Sequence, residues 1–268
     1  MSQNSKGTAL ITGASSGIGA IYADRLAHRG YDLILVARNK ARLDALAERL
    51  GDETGRAVET IAADLGNKAD LARIEAVLRA DASITALVNN AGFGATAPLV
   101  NSPVDKMEEM ITLNVSALTR LTYAAVPGFV ARGNGTIINI ASIAGIAPEI
   151  LNGVYGGTKA FVLALTLSLQ KELAGTGVRA QAVLPGATAT EFWGNAGTPL
   201  EHVPSEIVMP AEAMVDAALA GLDLGEKVTI PALPDIGDWE AYEAARHKLM
   251  PNLSLSAPAS RYRAAVGR

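Results

Sequence analysis

The chain has 268 residues, enough to bury a large core in a single domain. Hydrophobic residues make up 49% of it but aromatic ones only 4%, so the core must be built from Ala, Val, Ile and Leu, a composition that suits parallel strands. A formal net charge of −4, with no run of Lys or Arg, argues against a nucleic-acid surface, and the absence of cysteine excludes disulfides, thiolate catalysis and cysteine-ligated metals. No apolar run approaches the ~20 residues of a membrane span, so no membrane partner is expected. The polar lead 1–7 lacks the apolar stretch of a secretory signal, which makes a cytoplasmic location the default expectation.

Residues 8–11 read as a strand that runs through Thr12-Gly13-Ala14-Ser15-Ser16-Gly17-Ile18-Gly19 into a helical pattern at 18–29. Gly13 permits the tight turn, Gly17 lets backbone amides approach a phosphate at the helix N-terminus, and Gly19 lets helix and strand pack closely. The spacing departs from the Gly-x-Gly-x-x-Gly dinucleotide fingerprint, and without a Gly-Lys-Ser/Thr it is no P-loop. A second strand, 32–37, ends in Ala37-Arg38-Asn39-Lys40, where NAD sites place a carboxylate for the ribose hydroxyls. Two cations and no acid suit a 2′-phosphate; the plainer alternative is that Arg38 and Lys40 solvate a loop. A helix is expected at 39–50, a strand at 58–62, and then Asp64-Leu65 ahead of a helix at 67–80, where Asp64 is a candidate cap.

The fourth strand, 86–89, closes on Asn89-Asn90-Ala91-Gly92, and Gly92 and Gly94 are read as leaving space for a cofactor to pass over the backbone. Asn114 falls inside a helix expected over 103–131, a poor position by propensity. Ser142 follows the strand 136–140, and thirteen residues later Tyr155-Gly156-Gly157-Thr158-Lys159 opens a helix over 154–174. At i and i+4 the phenol and ammonium are neighbours, so Lys159 is expected to favour the phenolate of a group that ordinarily ionises near ~10. The same helix is apolar around most of its circumference from Phe161 to Leu169 and needs cover from the core or a partner subunit. After the strand 179–184 come Pro185-Gly186-Ala187-Thr188-Ala189-Thr190, then Phe192 and Trp193 on a glycine-rich segment, either a mobile lid over substrate or a plug that ties the loop down. A helix at 210–221, a strand at 227–230 and a short helix holding Trp239 and Tyr242 complete the pattern; 254–268 is unassigned. Strand and helix alternate throughout, which predicts a doubly wound parallel sheet with ligands at the carboxyl ends of its strands. His28, His202 and His247 stand too far apart in sequence to suggest a metal site.

The glycine turn, Asn89 to Gly92, Asn114, Ser142, the Tyr155/Lys159 pair and Pro185-Gly186 through Thr190 occur in the order found in the short-chain dehydrogenase/reductase family. Over roughly residues 6–192 the chain closely resembles that family. The resemblance implies a Rossmann-like α/β domain of about seven strands spanning 1–268, with a substrate lid near 188–210 and a C-terminal tail near 235–268. It implies an NADP(H)-dependent oxidoreductase that interconverts a carbonyl and a secondary alcohol on an apolar substrate. Tyr155 would protonate the alkoxide, Lys159 would lower the tyrosine pKa and hold the ribose, Ser142 would polarise the carbonyl, and Asn114 would anchor a water. The cofactor would lie along Gly13, Ser15, Ser16, Gly17, Ile18 and Gly19, with Arg38 at its 2′-phosphate and Asp64 and Leu65 near the adenine. Asn90, Ala91, Gly92, Tyr155 and Lys159 would meet its ribose, and Pro185, Gly186, Thr188 and Thr190 its nicotinamide. No metal is implied. A homodimer or homotetramer paired through the Phe161–Leu169 helix is implied too. The chain departs from the family at Gly156-Gly157, which usually reads Ser and Ala and here leaves room for substrate or partner backbone. Alternatives are a nucleotide-sugar epimerase or dehydratase, which shares Tyr-x-x-x-Lys but usually carries another glycine spacing, and a dinucleotide sensor without catalysis.

Overall fold

Apolar side chains line both faces of the long strands, so both faces of their sheet must be covered. In β1 (Thr8–Thr12) Ala9 and Ile11 enter one core while Leu10 enters the other; in β2 (Asp32–Ala37) Leu33 and Leu35 part in the same way from Ile34 and Val36. The computed structural model describes residues 6–263; residues 1–5 of the polar lead and 264–268 of the tail lie outside it. With β3 (Val58–Ala62), β4 (Ile84–Asn89), β5 (Gly135–Ile140), β6 (Val178–Val183) and β9 (Val228–Thr229), these strands form one parallel sheet in the order β3-β2-β1-β4-β5-β6-β9. The sheet is Rossmann-like, and its strand order reverses between β1 and β4, where such sheets open a crevice at their carboxyl ends.

One face is covered by α1 (Gly17–His28), α2 (Lys40–Thr54) and α8 (Ala211–Leu224), through Tyr22, Leu26, Leu43, Met214 and Leu219. The other carries α3 (Lys68–Ala80), α5 (Leu118–Arg132) and α6 (Gly153–Glu172), through Ile74, Leu121, Phe129 and Leu169. Between the sheet and these last helices runs a buried polar rung: the Asn89 amide donates to Asn139 Oδ1 at 2.9 Å and to Thr122 Oγ1 at 3.1 Å, and the Asn139 amide donates to Thr166 Oγ1 at 2.9 Å. The rung crosses the registered pair Asn89 and Asn139, so a slip of β4 against β5 would strand these amides in a dry core.

The single helix expected over 103–131 is three segments: α4 (Val104–Ile111), a wide π turn (Thr112–Ala117) and α5. The π turn holds Asn114, whose amide is hydrogen-bonded outside the helix; such turns interrupt helices where a side chain is needed elsewhere. The region 188–210 is more ordered than a plain loop. A parallel pair of two-residue strands, β7 (Thr188–Ala189) and β8 (Met209–Pro210), holds its base, and α7 (Phe192–Ala196) lies between them.

The chain divides into two compact units, one up to Pro231 and one from Ala232. Within the second, α9 (Ile236–Leu249) is capped by Asp235, which accepts from the Gly237 amide at 2.8 Å, and Trp239 and Tyr242 stack with ring centroids 5.2 Å apart. A turn at Met250–Asn252 and α10 (Ser260–Arg263) follow. No helix among the described residues is long and apolar enough to cross a membrane.

Candidate active site

The carboxyl ends of the central strands open into one cleft of about 1530 Å³. At its floor the β1–α1 turn presses against the end of β4. Gly13 and Gly17 sit at φ of 66° and 51°, in the left-handed region that favours glycine, and a Cβ at Gly19 would stand 2.3 Å from the Gly13 carbonyl oxygen. Thr12 and Asn90 complete the joint. The Thr12 hydroxyl accepts from the amides of Asn90 and Ala91, both at 3.0 Å, and the Asn90 side chain donates to the Thr12 carbonyl at 2.9 Å. Ser16 stands at the N-cap of α1 but makes no side-chain bond to the helix, and the first turn holds no acid. The positive end of the helix dipole therefore faces the cleft uncompensated.

Around the rim, Arg38 is exposed and makes no ion pair among the described residues. Its neighbours are engaged: Lys40 pairs with Asp44, and Arg42 reaches Glu191 at 2.8 Å. Asp64 accepts from the Gly66 amide at 2.9 Å and leaves the capping of α3 to Asn67, whose Oδ1 accepts from Ala69 at 2.8 Å. The cap alternative for Asp64 therefore gives way to an exposed turn residue on the cleft wall.

At the other end lie Ser142, Tyr155 and Lys159. Ser142 lies two residues past the end of β5 and is held by Pro185, whose carbonyl accepts from Oγ at 3.4 Å. Tyr155 stands in the first turn of α6 and is buried; loss of water pushes its phenol up to about 12, with the Ser142 hydroxyl pulling the other way. Lys159 is also buried, donates to the Ile140 carbonyl at 2.8 Å, and lies 5.8 Å from the Tyr155 ring centre. Burial draws its ammonium down to about 8. Desolvation opposes the charged form of both groups and prevails over the lowering of the tyrosine expected from the lysine, so each moves toward neutrality.

Asn114 does not line the cleft. Its Oδ1 accepts from the Phe93 amide at 3.1 Å, and its Nδ2 donates to the Phe93 carbonyl at 2.9 Å and to Thr158 Oγ1 at 3.2 Å. Both donor hydrogens are spent on protein, so this side chain braces the Phe93 loop against α6. Gly92 and Gly94 also make room for something other than a cofactor: a Cβ would stand 2.8 Å from Asn114 Oδ1 at the first and 2.3 Å from Phe192 Cζ at the second. Gly156 admits the chain's own Pro148, whose Cβ would be 2.9 Å away, whereas Gly157 faces open space. Phe192 and Trp193 divide the two readings of their segment. Trp193 is buried and donates from Nε1 to the Thr188 carbonyl at 3.0 Å, which ties the segment down. Phe192 turns to the cleft, 5.7 Å from the Tyr155 ring centre.

The short chain dehydrogenase family model matches residues 7–200. This chain belongs to that family. A short-chain dehydrogenase from Sphingobium yanoikuyae, solved in complex with NADPH, is 52% identical, with a TM-score of 0.93 over 96% of this chain and 99% of that one. A bulky-bulky ketone specific alcohol dehydrogenase from Comamonas testosteroni is 44% identical, with a TM-score of 0.89 over 97% and 99% of the two chains. An NADP-dependent 3-hydroxy acid dehydrogenase from Salmonella typhi is 40% identical over 186 residues, 68% of this chain and 73% of that protein.

As a short-chain dehydrogenase the chain brings most of the residues its motifs singled out onto one cleft wall, from Gly13 to Ile18 through Ser142, Tyr155 and Lys159 to Thr190, while Thr12, Ala14, Gly19, Asn89, Gly94 and Asn114 do not line it. Several cleft residues carry no motif and were not anticipated: Arg42 and Glu191 at one rim, Phe93, Ile150, Leu151 and Ile207 near the tyrosine, and Asp105, Lys106, Glu108 and Glu109 from α4. Only Arg42, close after Arg38 and Lys40, had a signal in the cation cluster.

The buried lysine has a measurable cost. Its folded value near 8 lies below the ordinary 10.5, so between these values the unfolded chain binds the extra proton and stability climbs as pH rises; below 8 the full cost of the buried charge remains. Lys159→Met should therefore stabilise the cofactor-free protein at pH 7 by roughly 1–3 kcal/mol, after the lost bond to Ile140 is counted. Urea unfolding from pH 7 to 10.5 should show that gain fading above 8; a gain that does not fade contradicts the buried-charge account.

Proposed function

We propose that this short-chain dehydrogenase reduces neutral ketones with apolar substituents, with NADPH as reductant. The observation that carries the reading is Tyr155, a buried phenol kept in its protonated form beside Ser142 under the ring of Phe192. A reductase needs a proton donor at that place, and a phenol raised by burial holds its proton at neutral pH.

The residues present suit a dinucleotide with a 2′-phosphate. The uncapped N-terminus of α1 suits its pyrophosphate, Arg38 its extra phosphate, and the wall from Asn90 to Gly92 with Lys159 its ribose. Pro185, Gly186, Thr188 and Thr190 edge the nicotinamide end. When bound, the reduced nicotinamide supplies a hydride to the carbonyl carbon. The chain's own residues do the rest. Ser142 donates a hydrogen bond to the carbonyl oxygen, Tyr155 gives that oxygen its proton, and Lys159, placed one helical turn on, stabilises the phenolate left behind. Asn114 holds Phe93 and Thr158, and through Thr158, whose hydroxyl donates to the Tyr155 carbonyl at 2.8 Å, steadies the turn that carries the phenol.

The substrate reading rests on what surrounds Tyr155. Phe93, Ile143, Ile150, Leu151, Phe192 and Ile207 offer apolar surface, and α4 adds three carboxylates against one lysine. A carboxylate substrate would meet more repulsion than pairing there. The likeness to the ketone-specific enzyme supports the same reading over the likeness to the hydroxy acid enzyme.

Turnover of aryl and branched-alkyl ketones should exceed that of their carboxylate-bearing analogues by kcat/KM, and Tyr155→Phe should cost ~10²–10⁴ in kcat with NADPH affinity unchanged. Near-parental turnover by that variant, measured as NADPH oxidation, removes the proton donor and the proposal with it. Arg38→Ala should weaken NADPH by ~1.5–3 kcal/mol and leave NADH nearly unchanged in titrations of both cofactors. Equal parental affinities for the two would sink the phosphate assignment.

The reading of a homo-oligomer is narrower than the apolar run suggested. The core buries Val162, Leu163 and Leu169, so the run is mostly internal, and the open face of α6 is Gly157, Phe161, Ala164 and Ser168. These small residues around one exposed phenylalanine suit close helix pairing with a second copy. Light scattering should give a dimer or tetramer for the parent and a smaller species for Ala164→Glu; a monomeric parent at micromolar concentration contradicts the proposal.

A further inference from the structure

Asn152 immediately precedes α6 and belongs to none of the motifs, yet it is buried and uses both ends of its amide. Its Oδ1 accepts from the amides of Val154 at 2.9 Å and Tyr155 at 3.4 Å, which caps the helix beneath the phenol. Its Nδ2 donates to the Ala97 carbonyl at 2.7 Å and to Ser102 Oγ at 3.2 Å. Capping requires only the oxygen, and Asp or Ser would serve as well. The two donated bonds go to a different element, the loop between β4 and α4.

That loop is in turn hooked to the segment carrying Phe192. The Thr96 amide and hydroxyl both donate to the Ala196 carbonyl at 3.0 Å, and Thr198 Oγ1 donates to Thr96 Oγ1 at 2.8 Å. Ser102 closes the loop on itself by donating to the Ala97 and Pro98 carbonyls, both at 3.0 Å. A continuous hydrogen-bonded path therefore runs from the turn under Tyr155, through Asn152, to Thr96 and on to α7. The path returns through packing, because the Phe192 ring lies against both Gly94 and the Tyr155 ring.

Resting on the reading of Tyr155 as proton donor, we infer that Asn152 is a positioning residue. Its amide sets the distance between the phenol and the two segments that wall the substrate space, so it governs how tightly a ketone is gripped more than how fast it is protonated. Asn152→Asp separates the two halves of this role. The carboxylate keeps the cap and suits the helix dipole, but it donates nothing and faces the Ala97 carbonyl with another acceptor.

The test uses the NADPH-loaded protein. Asn152→Asp, which buries a carboxylate against a carbonyl, should lower the melting temperature but keep NADPH affinity close to the parent's, while amide hydrogen exchange accelerates in both 96–102 and 194–198. On the ketone the parent reduces best, KM should rise by about three- to tenfold with kcat within about twofold, the size expected for lost hydrogen bonds that hold a wall in place. Ser102→Ala, which leaves the cap untouched, should move exchange and KM the same way by less, and it decides the matter if Asn152→Asp does not fold. Parental exchange in both segments overturns the inference, and so does a joint fall in NADPH affinity and kcat, the signature of a cap alone. A parent that reduces no ketone defeats the proposed activity, and the exchange pattern still decides whether Asn152 holds the two walls.

Discussion

At the end of β1 the Thr12 hydroxyl donates to the Val88 carbonyl and accepts from the amides of Asn90 and Ala91, while Gly13 stands so close to Ala91, and Gly19 to Gly13, that neither glycine has room for a side chain. This contact locks the glycine turn onto the end of β4 at the point where the strand order reverses. Everything in the cleft takes its position from it. The N-terminus of α1 is aimed by the turn, and the segment Asn90 to Gly92 leads directly into the loop that Asn114 and Asn152 brace against α6. Below it the rung of Asn89 and Asn139 holds β4 and β5 in register, and β5 delivers Ser142.

The chemistry depends on dryness. Tyr155 and Lys159 share one turn of α6 and both are buried, so the low-polarity surroundings push the phenol up and the ammonium down. In water an adjacent ammonium would favour the phenolate; here the cost of removing both groups from water outweighs their attraction. The Ile140 carbonyl is the lysine's hydrogen-bond acceptor, a neutral partner that orients the charge without cancelling it. Such an arrangement sacrifices stability to keep a protonated phenol and a buried ammonium side by side, which is what the proposed proton transfer requires.

The walls around Tyr155 are built from other material. The segments around Tyr155 are bound to one another mainly by uncharged hydrogen bonds, through Thr96, Ser102, Asn152 and Trp193. Another part of the rim is held by the charged pair of Arg42 and Glu191. Glu191 directly precedes Phe192, so the covering segment has an ionic contact at one end and a neutral hook to Thr96 at the other.

Much of this was legible in the chain itself. Strand and helix periods, the glycine spacing and the order of Ser142, Tyr155 and Lys159 are local patterns, and they determined the parallel sheet, the turn at the crevice and which residues meet at the cleft. Their energetics were not legible. Spacing puts Lys159 beside Tyr155, but whether charge attraction or desolvation prevails depends on what packs around them, and that is supplied by β5, α4 and α7, distant in sequence. The same holds for Asn114, whose amide meets Phe93 only because the π turn points it inward, and for Gly94, whose missing side chain is explained by Phe192 nearly a hundred residues later. Residues such as Asn152 and Glu191 have no sequence signature because their partners lie on other elements. Period and spacing determine which element a side chain stands on; only the packed chain determines what it touches, and with that its protonation, its cover and its grip on substrate.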